Sequence, residues 1–200
     1  MSEPAPDPFF GQDNWSLEPP RPIVPVPATM SGRMRGRRVL TGLPGLGWRG
    51  DLRADEKVIQ GSRTYVPIMP ESEWYRAESE RTEVFAALVA IDRVWVEELG
   101  VSGLGSLSAH DKPQPVSLDE PPRRFPTSAE RATSLTGRRA VRLLEDGGEQ
   151  RDLRATTELY ISENGDTCAR VANESDWYRW AWSGKFPQTL EVAANLLWLE

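Results

Sequence analysis

Apolar and polar residues alternate over short stretches of this chain, and the alternation recurs at corresponding places in its two halves. Val94-Trp95-Val96-Glu97 puts two valines on one face and Trp95 with Glu97 on the other, and Leu197-Trp198-Leu199-Glu200 does the same with two leucines. Both read as closing strands. Arg37-Arg38-Val39-Leu40 and Arg138-Arg139-Ala140-Val141-Arg142-Leu143 read as opening strands, and a further strand is predicted around 51–58, after a Gly/Pro-rich loop at 42–50. In the second half, Leu159-Tyr160-Ile161 and Thr167-Cys168-Ala169-Arg170-Val171 flank Glu163-Asn164-Gly165-Asp166. Asn-Gly between such stretches signals a hairpin, because these residues accept the positive φ of its turn. The first half turns at Gln60-Gly61-Ser62. Trp74-Tyr75-Arg76 is expected to be a strand or extended segment. The residues that follow, 78–87, offer a short helix, but Phe186-Pro187-Gln188 in the matching stretch favours a loop.

The recurrence is a duplication. Gly36-Arg37-Arg38 returns as Gly137-Arg138-Arg139, and Asp51-Leu52-Arg53-Ala54 as Asp152-Leu153-Arg154-Ala155. Glu71-Ser72-Glu73-Trp74-Tyr75-Arg76 returns as Glu174-Ser175-Asp176-Trp177-Tyr178-Arg179, after a two-residue insertion. Aligned tryptophans inside matching blocks rarely arise by chance. The expected organisation is a disordered Pro-rich arm at 1–35, a β-barrel repeat at 36–99, a linker at 100–136 and a second repeat at 137–200. A unit of this size buries only about 60% of its unfolded surface, so each should pack on the other. The arm carries Phe9, Phe10, Trp15, Leu17, Ile23 and Val24 on an otherwise polar, proline-rich background. They serve either to dock the arm on its own domain or as a linear motif for a partner.

Strand, turn and Glu-Ser-x-Trp-Tyr-Arg, followed by Val-Ala-x-x and a last strand, resemble the SH3-like small barrels, especially bacterial SH3 domains. The resemblance covers 61–96 and its counterpart. It implies a mainly β fold of two tandem small antiparallel barrels. That family spans peptide, cell-wall and nucleic-acid binding, so it transfers no binding residues.

Composition narrows the function classes. The net charge of −6 lacks the basic footprint of a duplex-DNA binder. No apolar run has the length of a membrane span, the first residues lack the features of a secretory signal, and one cysteine excludes an internal disulfide. A cytoplasmic protein without membrane contact is expected.

Few residues could carry chemistry. His110, the single histidine, falls in the linker, and Cys168 has Tyr65 as its counterpart in the first repeat, so a Cys168–His110 dyad would need the linker to fold back. No ligand spacing for a metal and no phosphate-binding loop is present, and neither metal nor cofactor is expected. The duplicated polar set remains: Asp51, Arg53, Glu71 and Arg76, with Asp152, Arg154, Glu174 and Arg179. An arginine near each carboxylate favours its charged form, which points to a structural ion-pair network rather than to acid–base catalysis. Trp95 and Trp198, set opposite the aliphatic face of their strands, are expected at the junction of the repeats or against a partner. Trp180 and Trp182 have no aromatic counterparts in the first repeat. The sequence thus points to a non-catalytic protein-interaction module such as an adaptor, an assembly component or an inhibitor or immunity-type protein. The partner-binding candidates are Trp95, Trp198, Trp180, Trp182, Phe9, Phe10 and Trp15. The alternative is a single-stranded nucleic-acid binder using Arg33, Arg35, Arg37, Arg38, Arg138 and Arg139 with Trp180 and Trp182.

Overall fold

The computed structural model describes residues 18–43, 47–101 and 120–200. The expected motif residues Phe9, Phe10, Trp15 and Leu17, and His110, lie outside the described residues. The fold is mainly β, as the alternation requires: the described residues form two seven-stranded antiparallel sheets and two α-helices, with the first sheet curled into a half-barrel. The first unit contributes β1 (Ile23–Pro27), β2 (Arg38–Leu43), β3 (Gly47–Ala54), β4 (Val58–Gln60), β5 (Arg63–Pro70), β6 (Ala87–Ala90) and β7 (Val94–Leu99). Its strand order is β1-β7-β2-β3-β5-β4, with β6 on β5. The second contributes β8 (Thr127–Ser128), β9 (Arg139–Leu143), β10 (Glu149–Ala155), β11 (Tyr160–Ile161), β12 (Thr167–Asn173), β13 (Leu190–Ala193) and β14 (Leu197–Leu199). Its order, β8-β14-β9-β10-β12-β11 with β13 on β12, reproduces that of the first unit strand for strand.

Four sequence expectations are corrected. The strand expected around 51–58 runs instead over Gly47–Ala54, so the end of the expected loop at 42–50 is strand. Trp74-Tyr75-Arg76 is helical, within α1 (Glu71–Glu80), and its match lies in α2 (Glu174–Ser183). Glu71, Trp74, Tyr75 and Glu78 recur at helical spacing, and acidic residues in the first turn suit the positive end of the helix dipole. Both helices stop where the chain turns left-handed, at Arg81 (φ 54°) and Gly184 (φ 69°). The arm does not run unstructured to residue 35, since β1 pairs with β7 over its full length, from Ile23–Leu99 to Pro27–Trp95. Pro25 and Pro27 are tolerated there because β1 is an edge strand, with one side free of ladder hydrogen bonds. The linker, in turn, contributes β8 and a 3-10 turn at Ala129–Arg131. The duplicated unit therefore begins about a dozen residues earlier than the matched glycines suggest: Pro25, Ala28 and Met34 correspond to Pro126, Ala129 and Leu135, and the last two of each set are buried.

Each unit has its own apolar core. In the first, Met34, Val39, Leu52, Val66, Val94 and Val96 are buried together. In the second, Leu135, Leu153, Val171, Leu197 and Leu199 are. Period-2 alternation selects the inward residues of β7 and β14 as expected. The matched glycines have a conformational reason to recur. Gly36 (φ 77°) and Gly137 (φ 81°) are left-handed, and a Cβ on either would sit 3.5–3.6 Å from Trp74 or Trp177.

The sheets meet at one antiparallel bridge. Ile23 N–H donates to the Arg124 carbonyl (2.8 Å) and Arg124 N–H to the Ile23 carbonyl (3.0 Å). Residue 124 is the counterpart of residue 23 at the 101-residue offset of Gly36 and Gly137, so equivalent positions pair across a pseudo-twofold axis. The helices α1 and α2 pack on each other across the same junction.

Candidate functional site

The duplicated polar residues converge at that junction. Glu71 and Glu174 open their helices, and both side chains are fully buried. Arg53 and Arg154 project from β3 and β10, and Arg38 and Arg139 begin β2 and β9. Arg38 reaches Glu174 at 2.6 Å and Asp152 at 2.7 Å, both in the other unit. Reciprocally, Arg139 reaches Glu71 at 2.9 Å and Asp51 at 2.8 Å. Arg53 lies 3.1 Å from its own Glu71 and 3.1 Å from Glu174, while Arg154 lies 2.8 Å from Glu174 and 3.0 Å from Glu71. Each contact has its image, as in the isologous interface of a symmetric dimer. The second guanidinium nitrogen of Arg53 and Arg154 donates to the carbonyls of Gly36 and Gly137, 2.9 Å in both cases.

Two tyrosines close the set. The Tyr75 and Tyr178 rings stack with centroids 5.4 Å apart. Arg53 lies over the Tyr75 ring and Arg154 over the Tyr178 ring, at 5.3 and 5.1 Å from their centroids. Glu97 of β7 and Glu200, the residue after β14, extend the network: Glu97 meets Arg139 at 3.5 Å and Glu200 meets Arg38 at 3.4 Å. Arg124 also pairs with Glu97, and Arg151 with Glu200.

Asp51 and Asp152 owe their place to the backbone. Both are left-handed (φ 55° and 59°) and sit at register shifts in the β2–β3 and β9–β10 ladders. A bulge with one left-handed residue bends the strand and re-aims a side chain, here toward the guanidiniums of the opposite unit.

Electrostatics follow the geometry. Burial pushes the Glu174 carboxyl up, but Arg38, Arg154 and Arg139 outweigh it and hold the group at about 2. Burial disfavours the charge on Arg38 and on Arg139, yet Glu174 and Glu71 respectively raise both above the ordinary arginine value. Burial, then the charge of Glu174 or Glu71, raises the Tyr75 and Tyr178 hydroxyls above the usual tyrosine value. Glu97 is raised chiefly by burial, its arginine partners notwithstanding. Every carboxylate of the core set faces two guanidiniums or more.

Of the eight residues expected in the network, six are in it. Arg76 and Arg179 are not. Arg76 pairs with Glu80 at 3.1 Å on the exposed face of α1, and Arg179 is exposed on α2. On a helix the residue after Tyr75 or Tyr178 points about 100° away from it, so a partner expected from an extended chain is carried outward. The sequence reading missed Tyr75, Tyr178, Glu97 and Glu200, and placed Arg38 and Arg139 in the nucleic-acid alternative. Their signal was the duplication itself, which repeats Gly-Arg-Arg and Trp-Tyr as faithfully as the Asp and Glu residues. Other arginines of that alternative are paired too: Arg33 with Glu56, Arg35 with Glu78 and Arg37 with Glu98. Arg138 is exposed.

Trp95 and Trp198 are half-buried on the outward face, and Trp95 meets Trp48 of its own unit edge to face, centroids 6.4 Å apart. Rings do meet at the junction, but they are Tyr75 and Tyr178. Trp182 is half-buried, whereas Trp180 is 38% exposed and packs edge to face on Phe186, itself 56% exposed. Cys168 is buried in β12. Among the described residues no group of His, Cys, Asp or Glu is arranged to hold a metal ion, and no helix is long and apolar enough to cross a membrane. Compared with family models, with curated proteins and with solved structures, the chain gives no match in any of the three.

Proposed function

We infer that the chain is a non-catalytic protein-interaction module whose two units form one rigid platform. The observation that carries this reading is the reciprocal Arg–Glu junction. Among the described residues, the cluster with the composition of a catalytic site joins the units, and its carboxylates are faced by arginines of both. Buried charge of this kind contributes more to a unique arrangement than to net stability. The outer surface supports the same reading. Trp180 with Phe186 forms an exposed aromatic pair at the end of α2, beside exposed Arg179 and Lys185. Aromatic and cationic groups together are typical anchors of protein interfaces.

The test is affinity capture from the native host with full-length protein, comparing wild type with Trp180→Ser/Phe186→Ser. A protein retained by the wild type and lost or weakened at least tenfold in the variant supports the reading. Retention of oligonucleotides alone, weakening steeply as salt is raised, would replace it with the nucleic-acid alternative.

A further inference from the structure

A second surface distinguishes the units. On the first, a groove of about 470 Å³ is lined by residues of β2, β3, β5 and β6 together with Phe85 and Arg93. Its floor is apolar, and its rim carries Phe85, 88% exposed, and Leu88, 44% exposed. Among the described residues, the charged groups lining it are Arg49 and Arg93. Both are exposed, and among the described residues neither side chain has a carboxylate partner. The strand beside it, β6, is bonded only to β5 among the described strands, so its other edge presents unpaired N–H and C=O groups.

The duplication supplies an internal comparison. Floor residues recur, Leu52 as Leu153 and Val89 as Val192. The rim does not: Arg49, Phe85, Leu88 and Arg93 stand where the second unit has Gln150, Gln188, Glu191 and Leu196. Glu191 there is occupied by the Tyr160 hydroxyl. Fold-forming positions are thus shared, while the apolar and cationic rim belongs to one unit.

We propose that this groove binds an extended, acidic segment of a partner protein, which adds a strand to β6, lays apolar side chains on Phe85 and Leu88, and sets carboxylates against Arg49 and Arg93. Strand addition satisfies the open backbone edge whatever the sequence, and the groove selects among sequences. Two guanidiniums without a balancing carboxylate favour anionic over cationic segments. The proposal rests on the reading of the chain as a protein-binding module and assigns that module a site and a class of ligand.

The probe is a fluorescein-labelled decapeptide of alternating leucine and aspartate, titrated with the full-length protein and followed by anisotropy at 50 mM and 300 mM salt. Binding is expected to weaken at least tenfold in Arg49→Glu/Arg93→Glu and in Phe85→Ser/Leu88→Ser, to weaken at the higher salt, and to vanish when alternate peptide amides are N-methylated. The counterpart peptide with lysine for aspartate should not bind. All four substituted side chains are exposed, so both variants should melt within a few degrees of the wild type. Ile161→Ser, at an exposed position of the second unit, should leave peptide affinity unchanged. Absence of binding, indifference to the groove substitutions or to N-methylation, or equal binding of the lysine peptide overturns the proposal. A tenfold gain in peptide affinity on Phe9→Ser/Phe10→Ser/Trp15→Ser overturns it as well, since the groove would then belong to the chain's own N-terminal segment. If the peptide fails while a host protein is still captured, the groove assignment falls and the interaction reading stands. If neither binds, both fall.

Discussion

The hydroxyl of Tyr75 donates to Glu174 (3.1 Å), and that of Tyr178 donates to Glu71 (3.1 Å), so each tyrosine serves the carboxylate of the opposite unit. Each also accepts from the arginine of its own unit, Arg53 or Arg154, at 2.7 Å. The stacked rings thus sit at the crossing of two hydrogen-bond chains related by the pseudo-twofold axis, which makes the junction one cooperative assembly rather than a sum of pairs.

Removing either central charge should therefore cost alike. Glu71→Gln and Glu174→Gln each leave guanidiniums buried without their anion, a loss of about 3–5 kcal/mol, or roughly 10 °C in melting temperature for a chain of this size. Thermal melts of the two variants should agree within a few degrees. A large difference between them would show that the contacts are symmetric in geometry but not in energy.

Acid should open the junction through Glu174. Its folded value of about 2 lies below the ordinary 4.5. The carboxylate therefore contributes stability in full above pH 4.5, and that contribution, about 3 kcal/mol, is lost as pH falls toward 2. Glu97, raised by burial, acts with opposite sign and lessens the slope. Urea unfolding from pH 6 to pH 2.5 should show this fall in the wild type and a flatter profile in Glu174→Gln.

The two junction tyrosines should ionise late. In an alkaline titration followed at 295 nm, the fraction of absorbance contributed by Tyr75 and Tyr178 should appear above the usual tyrosine range, and Tyr75→Phe/Tyr178→Phe should remove that component. Each single phenylalanine variant should lose about 1–3 kcal/mol, because it removes a hydrogen bond to a charged carboxylate and takes the hydroxyl acceptor from Arg53 or Arg154.

Asp51 tests backbone against charge. Asp51→Gly keeps the left-handed bulge and loses the contacts to Arg139 at 2.8 Å and to Arg154 at 3.4 Å, whereas Asp51→Val loses them too and must also force a β-branched residue to φ 55°. The valine variant should be less stable than the glycine variant by about 1–2 kcal/mol in chemical denaturation. The same order is expected at Asp152.

These expectations show where local sequence carries the fold and where it does not. Alternation in Val94–Glu97 and the Asn164-Gly165 turn specify strands from neighbouring residues alone, and the strands form as read. The helix at Glu71 escaped because its buried position is a glutamate: polarity at the inward face masks the helical period that Trp74 and Tyr75 complete. Strand β1 escaped because its prolines look like coil, and only its position at the edge of the sheet makes them acceptable. The junction was half legible. Repetition singled out Asp51, Arg53 and Glu71, but their partners across the junction lie more than 80 residues away along the chain, and nothing local encodes which arginine meets which acid.

The bridge between Ile23 and Arg124 has an evolutionary reading. Two separate copies meeting through identical patches would have to keep every surface twice, and their association would depend on concentration. Covalent linkage holds the partners at an effective concentration in the millimolar range and frees each half to change wherever the other does not touch it. Asymmetry at Arg49, Phe85, Leu88 and Arg93 is the freedom that such a fusion grants, while the residues around the axis stay bound to their images.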